Sequence, residues 1–369
     1  MDRSIRLIHI APELPPTVGG VADYTTILSR RLVEVSAGAV KPVLVHANKE
    51  STEDIEGDFP VFDLSGQCSA TELAETVQRL ADEVKGRAVV LLEYSGYGYA
   101  KRGAPLWLVR GLRRACGDDG MPLVTVFHEI SASGPIWRSS FWLTPVHRWV
   151  AKQLVQLSER VFVNRPSGVK QLQQWTPRPS TVVFQPVFSN VGEPDTRTPL
   201  DHRDRYAVVF CGKQEKDMLY SRSESLSRVL DAGQVDRLVD IGPRPEHIPD
   251  LTIRHKIKGI QSAKQVSRWL AGARLGFAHR RLDLLTKSGV VAAYLAHGVP
   301  PVVLPNGSAE HTPVLSRGTH YTTLEQAGTK SIDWENLSRQ GYTWYREQAR
   351  SQKVAREILR TIDANVFSG

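Results

Sequence analysis

The sequence predicts an α/β protein made of two doubly wound, parallel-sheet domains in tandem. Three observations carry this reading. Short apolar runs alternate with segments whose apolar residues recur at helical spacing, the pattern of repeated strand–helix units. The alternation breaks at 191–205, a charged stretch holding Gly192, Pro194 and Pro199, and then restarts. The length, 369 residues, exceeds one ordinary core and suits two of roughly 150–200 residues each. The expected division is therefore 1–190, a linker at 191–205, a second domain at 206–341 and a tail at 342–369.

The elements follow in order. Residues 5–10 form an apolar strand, and 24–35 carry Tyr24, Ile27, Leu28, Leu32 and Val35 on one helical face. A strand at 43–46 precedes a helix at 70–84, whose Leu73, Val77, Leu80 and Val84 share a side. The runs 88–92 and 123–127 are continuous and apolar, as strands covered on both faces require, with a helix at 106–116 between them. A helix at 146–157 and a strand at 160–164 close the first domain. In the second, strands are expected at 207–211, 237–241, 275–278 and 301–304, and helices at 223–232, 263–271 and 289–297. Gly298 suits the left-handed position after the last of these helices, and Pro300-Pro301 stop it from continuing. The tail reads as one long charged amphipathic helix over 342–364.

Composition sets outer limits. With 41% hydrophobic and 23% charged residues the chain can build cores, and no apolar run reaches the roughly 20 residues a membrane-spanning helix needs. The first ten residues read as a strand rather than a signal peptide. Cys68, Cys116 and Cys211 are too few and too scattered for a disulfide framework or a metal site, so a cytoplasmic location is expected. Net charge is +8, and between Ile130 and Ser180 seven basic residues face the single acid Glu159. Such a patch suits a phosphorylated substrate or an anionic lipid. Nucleic acid is not expected, because no binding motif accompanies the charge. Segment 135–152 adds Trp137, Trp142 and Trp149 to Arg138, Arg148 and Lys152, the mixture of an interfacial segment, which would make the protein peripheral to a membrane. Trp149, in the expected helix, is assigned to the core.

Ligands of open α/β sheets bind beyond the carboxyl ends of the strands, so the loops there are the candidates. Thr286-Lys287-Ser288-Gly289 opens a helix, where free N–H groups, an ammonium and a hydroxyl make an anion site. Gly19 and Gly20 precede the first helix and permit close backbone approach or a positive φ, without the spacing of the dinucleotide fingerprint. Gly212 with Lys213 and Lys216 follows the second domain's first strand and is fitted to a diphosphate. In the first domain, Glu93 with Tyr94 and Tyr97 offers a carboxylate and aromatic faces for a sugar. His128 and Glu129 end the next strand and supply acid–base or hydrogen-bonding groups. The weaker candidates are Lys256-Ile257-Lys258-Gly259-Ile260, as a floor for a base, and His279-Arg280-Arg281. No Asp-x-Asp pair occurs in a suitable loop, so neither a divalent metal nor a separate cofactor is expected.

Taken together, Pro15-Pro16-Thr17-Val18-Gly19-Gly20 with Tyr24, His128-Glu129, Gly212-Lys213 and 296–303 resemble the GT-B glycosyltransferases, the family 4 type in particular. The resemblance covers most of the chain. It implies two Rossmann-like domains facing across a cleft, a nucleotide-sugar in the second, an acceptor in the first, and a last helix crossing back to the first domain. It implies further that Gly19 and Gly20 border the donor phosphate and that Gly212, Lys213 or Lys216, Lys287, Ser288 and Gly289 hold the diphosphate. Tyr24, Tyr94 and Tyr97 would meet the acceptor, His128 the transferred sugar, and Glu93 or Glu129 the acceptor hydroxyl. The family's paired glutamates would fall at Leu285 and Ala293 and are absent. The expected activity is a hexosyl transfer, with retention, from a UDP- or GDP-sugar to a saccharide or lipid-linked acceptor in bacterial polysaccharide or glycolipid assembly. An epimerase or phosphorylase on the same fold, and a catalytically degenerate binding protein of an assembly complex, are the alternatives.

Overall fold

The computed structural model describes residues 4–17, 19–50, 55, 57–84, 87–117, 120–130, 143–307, 314–329 and 331–367, with side chains as far as 362. The chain forms two compact units. One comprises Met1–Gln185 and Ser351–Gly369, the other Pro186–Arg350.

The first unit is built on a seven-stranded sheet in the order β3-β2-β1-β4-β5-β6-β7. Its strands are Ile5–Ala11 (β1), Val40–His46 (β2), Val61–Asp63 (β3), Arg87–Tyr94 (β4), Leu123–Phe127 (β5), Arg160–Val163 (β6) and Val182–Phe184 (β7), and all pair in parallel. β1 lies at the centre, with Ile5 in register with both Val40 and Arg87. Helices cover both faces, which is why β5 is buried at every position and why the strands read as unbroken apolar runs. On one side Ala70–Asp82 packs against Leu106–Cys116, and elsewhere Gly20–Val35 packs against Ser351–Phe367.

The second unit has six strands in the order β10-β9-β8-β11-β12-β13, again all parallel. They are Tyr206–Phe210 (β8), Arg237–Ile241 (β9), Arg254–Gly259 (β10), Leu275–Arg280 (β11), Pro301–Pro305 (β12) and Thr322–Thr323 (β13). Winding reverses between β1 and β4 in the first sheet and between β8 and β11 in the second. A doubly wound sheet opens a ligand crevice at such a switch point.

The predicted strands and helices are present with small shifts of their ends. β3, β7, β10 and β13 and the helices Pro166–Gln173 and Lys213–Tyr220 were not predicted. β3 and β7 are three residues long and half-exposed, β13 has two residues, and β10 (Arg-His-Lys-Ile-Lys-Gly) has a single large apolar residue, so none is both long and apolar enough to stand out. Gly298 does adopt the left-handed conformation, at φ +62.

Two organisational expectations need correction. The stretch 191–205 is not a free linker but part of the second unit. Arg197 pairs with Glu335, Leu200 N–H donates to the same carboxylate at 2.9 Å, and Tyr342 donates to the Pro194 carbonyl at 3.1 Å. Its Arg203 is buried and donates to the carbonyls of Thr198, Ala273 and His297, the last at a helix C-terminus where a cation is favoured. The tail is two helices rather than one. Trp334–Gln348 belongs to the second unit and Ser351–Phe367 to the first, and the break falls where the amides of Ala349 and Arg350 both donate to the Tyr345 carbonyl.

Candidate functional site

At the switch point of the first sheet, three strands bring a buried polar chain together. Glu93, near the end of β4, is inaccessible to solvent and accepts from two histidines. His9 Nε2 lies 2.9 Å from one carboxylate oxygen and His128 Nε2 2.7 Å from the other. With Glu93 ionised, both rings present their Nε2–H groups to it, and the Ser29 hydroxyl meets His9 Nδ1 at 2.8 Å. Burial alone would push the Glu93 carboxyl up. The hydrogen bonds and charges of His128 and His9 outweigh it and hold the group below the usual carboxylate range. His128, at the open end of the chain of bonds, keeps slight exposure, and Tyr24 meets its ring edge-on at 5.0 Å.

This arrangement redefines several expected roles. Glu93 has both oxygens on histidines and is buried, so it orients His128 and His9 rather than meeting an acceptor hydroxyl directly. Tyr94 is buried between Tyr99 and Phe127, which burial explains for its strongly raised phenol pKa, and it cannot offer a ring face to a sugar. Tyr97 is half-buried beside the His147 ring at 5.9 Å, and Glu129 is half-buried next to His128. His9 and Ser29 were missed. Their one sequence signal was a histidine inside an otherwise apolar strand.

Gly19 caps the first helix with φ −163, an extended conformation, so it is not needed for a positive φ. A Cβ on Gly19 would come within 2.5 Å of Glu13 Oε2, the movable end of a flexible side chain, so what the position shows is a carboxylate of the chain itself lying against this helix start. The second unit repeats the device. Gly212 caps Lys213–Tyr220, and a Cβ there would meet Glu215 Oε2 at 2.4 Å.

Glu215 leads into a cavity of about 390 Å³ at the carboxyl ends of the second sheet, in the size range of small-molecule pockets. Gln214 and Glu215 from the helix after β8, His279, Arg280 and Arg281 at the end of β11, and Asn306 just after β12 line it. Arg280 pairs with Glu215 Oε1 at 2.5 Å, while Arg281 makes a two-pronged contact with Asp283 at 3.0 Å. The Asn306 amide donates to the Arg280 carbonyl, which ties the ends of β11 and β12 together. Burial pushes the His279 imidazole down. An anion entering here meets the guanidinium groups of Arg280 and Arg281, each already paired with a carboxylate, the Glu215 carboxylate itself and the amide side chains of Gln214 and Asn306.

Of the predicted cations, Lys213 is exposed and 3.3 Å from Glu246, a surface pair of little consequence for stability. Lys216 corrects the expectation. It is wholly buried, paired with Asp240, and donates to the Pro243 carbonyl at 2.7 Å, while Tyr220 donates to the other Asp240 oxygen at 2.5 Å. Its helix points positions 216, 219 and 220 inward, so the ammonium serves the core rather than a ligand. Ser288 caps Gly289–Ala296 by accepting from the Val291 amide at 3.3 Å; Gly289 opens that helix and Lys287 ends a short 3-10 turn, Leu282–Lys287. Neither Lys213 nor Lys287 lines the arginine cavity. The interfacial segment is described only from residue 143, and Trp137 and Trp142 lie outside the described residues. Trp149 departs from its assignment to the core. It is 44% exposed, and Arg148 and Lys152 beside it are exposed too.

No protein-family model matches the chain, and no curated protein matches it in sequence. Solved structures do. An alpha-glucosyltransferase in complex with UDP aligns with TM-score 0.58 and 12% identity over 97% of this chain and 99% of that one. A putative UDP-N-acetylglucosamine 2-epimerase from Listeria monocytogenes aligns with TM-score 0.60 and 12% identity over 99% and 98%. An alpha,alpha-trehalose 6-phosphate synthase from Burkholderia multivorans aligns with TM-score 0.57 and 13% identity over the whole of both chains. These likenesses fix the fold as the two-domain GT-B type, with sheets of seven and six strands.

Proposed function

We propose that the chain is a glycosyltransferase that moves a sugar from a nucleoside-diphosphate sugar to a saccharide or lipid-linked acceptor. The observation that carries this is the arginine cavity at the second sheet's switch point, on a fold shared with an alpha-glucosyltransferase solved with UDP. In this reading the diphosphate is met by Arg280, Arg281 and the helix start at Gly212, and Lys213, Lys287 and the amide of Gly289 are assigned to the same ligand from outside the cavity lining. Catalysis is mainly positioning and charge stabilisation, the cations neutralising the diphosphate as it leaves. His128, fixed in tautomer and orientation by Glu93, hydrogen-bonds the transferred sugar. Tyr97 flanks the acceptor, Tyr24 is buried and supports the His128 ring instead of meeting a ligand, and no metal ion is assigned a role. Retention of configuration, a UDP or GDP donor and a place in bacterial polysaccharide or glycolipid assembly belong to the same proposal.

The test is calorimetric titration of the full chain with UDP and GDP. Binding by the unaltered chain is expected, with affinity about tenfold or more weaker in Arg280→Ala, as loss of a charge-assisted contact requires. Lys287→Ala should weaken it less. Absence of binding by either nucleotide would refute the donor assignment. A second reading, a nucleotide-sugar epimerase, is favoured by the likeness to the epimerase and by the buried His9–Glu93–His128 acid–base chain. Incubation with UDP-N-acetylglucosamine alone separates the two, since an epimerase changes the sugar without any acceptor.

A further inference from the structure

The second sheet carries another cavity, of about 610 Å³, at the end opposite the arginine cavity already described, where β8, β9 and β10 begin. Arg203, Asp204, Arg205, Asp236, Arg237 and Arg254 line it. Two of these arginines have work inside the fold: Arg203 holds three carbonyls, and Arg205 donates to the Gln234 carbonyl at 3.1 Å with Asp236 at 3.9 Å.

The other two make no such bonds. Arg237 and Arg254 are in register on adjacent strands, so their side chains stand next to each other on one face. Among the described residues, neither guanidinium has a hydrogen bond or a carboxylate partner. Arg237 lies over the Tyr206 ring at 5.1 Å, and its Nε is buried with no acceptor. Like charges in register repel, and a buried N–H without an acceptor is costly. The positive charge continues along β10 through Lys256 and Lys258, the latter 4.7 Å from the Trp269 ring. Cations on an edge strand also discourage pairing with another chain. That role needs neither a cavity nor a guanidinium buried at Nε.

We propose that Arg237 and Arg254 form a second anion site, which takes the phosphate group of a small phosphorylated molecule or headgroup. Paired guanidinium forks match phosphate oxygens in geometry as well as charge. Four arginines face two aspartates here, an excess that suits the double charge of a phosphate monoester. The missing acceptor for Arg237 Nε and the relief of repulsion from Arg254 are then supplied by the ligand.

The test is titration of the full chain with inorganic pyrophosphate in a calorimeter, in four forms: unaltered, Arg280→Ala, Arg254→Gln and Arg237→Gln/Arg254→Gln. Two binding events are expected in the unaltered chain: Arg280→Ala weakens the one at the proposed donor site and leaves the other, Arg254→Gln weakens that other about tenfold, and the double variant removes it, as loss of charge-assisted contacts dictates. The phosphate-free melting temperature of Arg254→Gln should equal or exceed that of the unaltered chain, because repulsion is removed. Undiminished binding in the double variant overturns the proposal, and so do its complete loss in Arg280→Ala, no binding at all, or a lower phosphate-free melting temperature in Arg254→Gln. Glucose 6-phosphate and phosphatidic acid vesicles, tried in parallel, tell a soluble source of the phosphate from a lipid one. None of these readouts depends on nucleotide binding, so this inference and the donor assignment fail separately.

Discussion

Glu215 lies at the start of Lys213–Tyr220 and pairs with Arg280. Under the proposed function it competes with the donor's diphosphate for the same charges. Glu215→Gln should therefore tighten UDP or GDP binding by roughly threefold to tenfold, since a neutral amide holds a guanidinium less well than a carboxylate does. Calorimetry beside the unaltered chain reads this, and equal or weaker binding would mean that Glu215 helps rather than hinders the ligand. At this scale the sequence was legible where a polar residue ended an apolar strand. Glu93 and His128 stood out for that reason, and the structure joins them. His9 did not, because a histidine in the middle of a strand shows no partner until β4 and β5 are laid beside it. Lys216 was misread because its meaning depends on which way a helix turns, and that eight-residue helix carries apolar residues only at Met218, Leu219 and Tyr220 to announce itself.

Among the elements, Thr144–Leu157 most changes its reading in the structure. Its Val150, Ala151, Leu154 and Val155 fill the first core, while Arg148, Trp149 and Lys152 stand outside it. A tryptophan flanked by cations on an exposed helix face is suited to the boundary between anionic headgroups and acyl chains. Sedimentation with phosphatidylglycerol vesicles should carry the unaltered protein down, and Trp149→Ala should reduce the bound fraction severalfold while leaving binding of UDP unchanged. Equal sedimentation of the two proteins would remove this helix from any account of membrane association. No helix among the described residues is long and apolar enough to cross a membrane.

For the whole molecule, stability should depend on pH through His297. It closes the Gly289–Ala296 helix, with Nδ1 on the Ala293 carbonyl and Nε2 on Ser267, both at 2.8 Å. Burial pushes its pKa down to about 4. A histidine depressed in the folded state binds its proton more readily when unfolded, so stability falls as pH drops from about 6.5 towards 4. The loss is on the order of 3 kcal/mol once the pH lies below both values. Thermal unfolding at pH 5 and pH 7.5 should show a lower melting temperature at the acid end. The gap should narrow in His297→Gln, and an unchanged gap would assign the effect to other groups.

The sequence by itself determined the class of fold, the number of domains, most strands and helices and the ends of the sheets where chemistry belongs. Those properties rest on local periodicity and on glycine and proline, which act within a few residues of themselves. Only the tertiary structure decided that 191–205 is built into the second unit and that the tail divides between the two units. It also decided that Tyr94 and Lys216 are buried, and that Glu215, Arg280 and Asn306 meet. Each of these depends on side chains far apart in sequence being brought to one place by strand order. A parallel sheet whose neighbours are β1 and β4, or β8 and β11, sets such encounters through crossovers that no local pattern records.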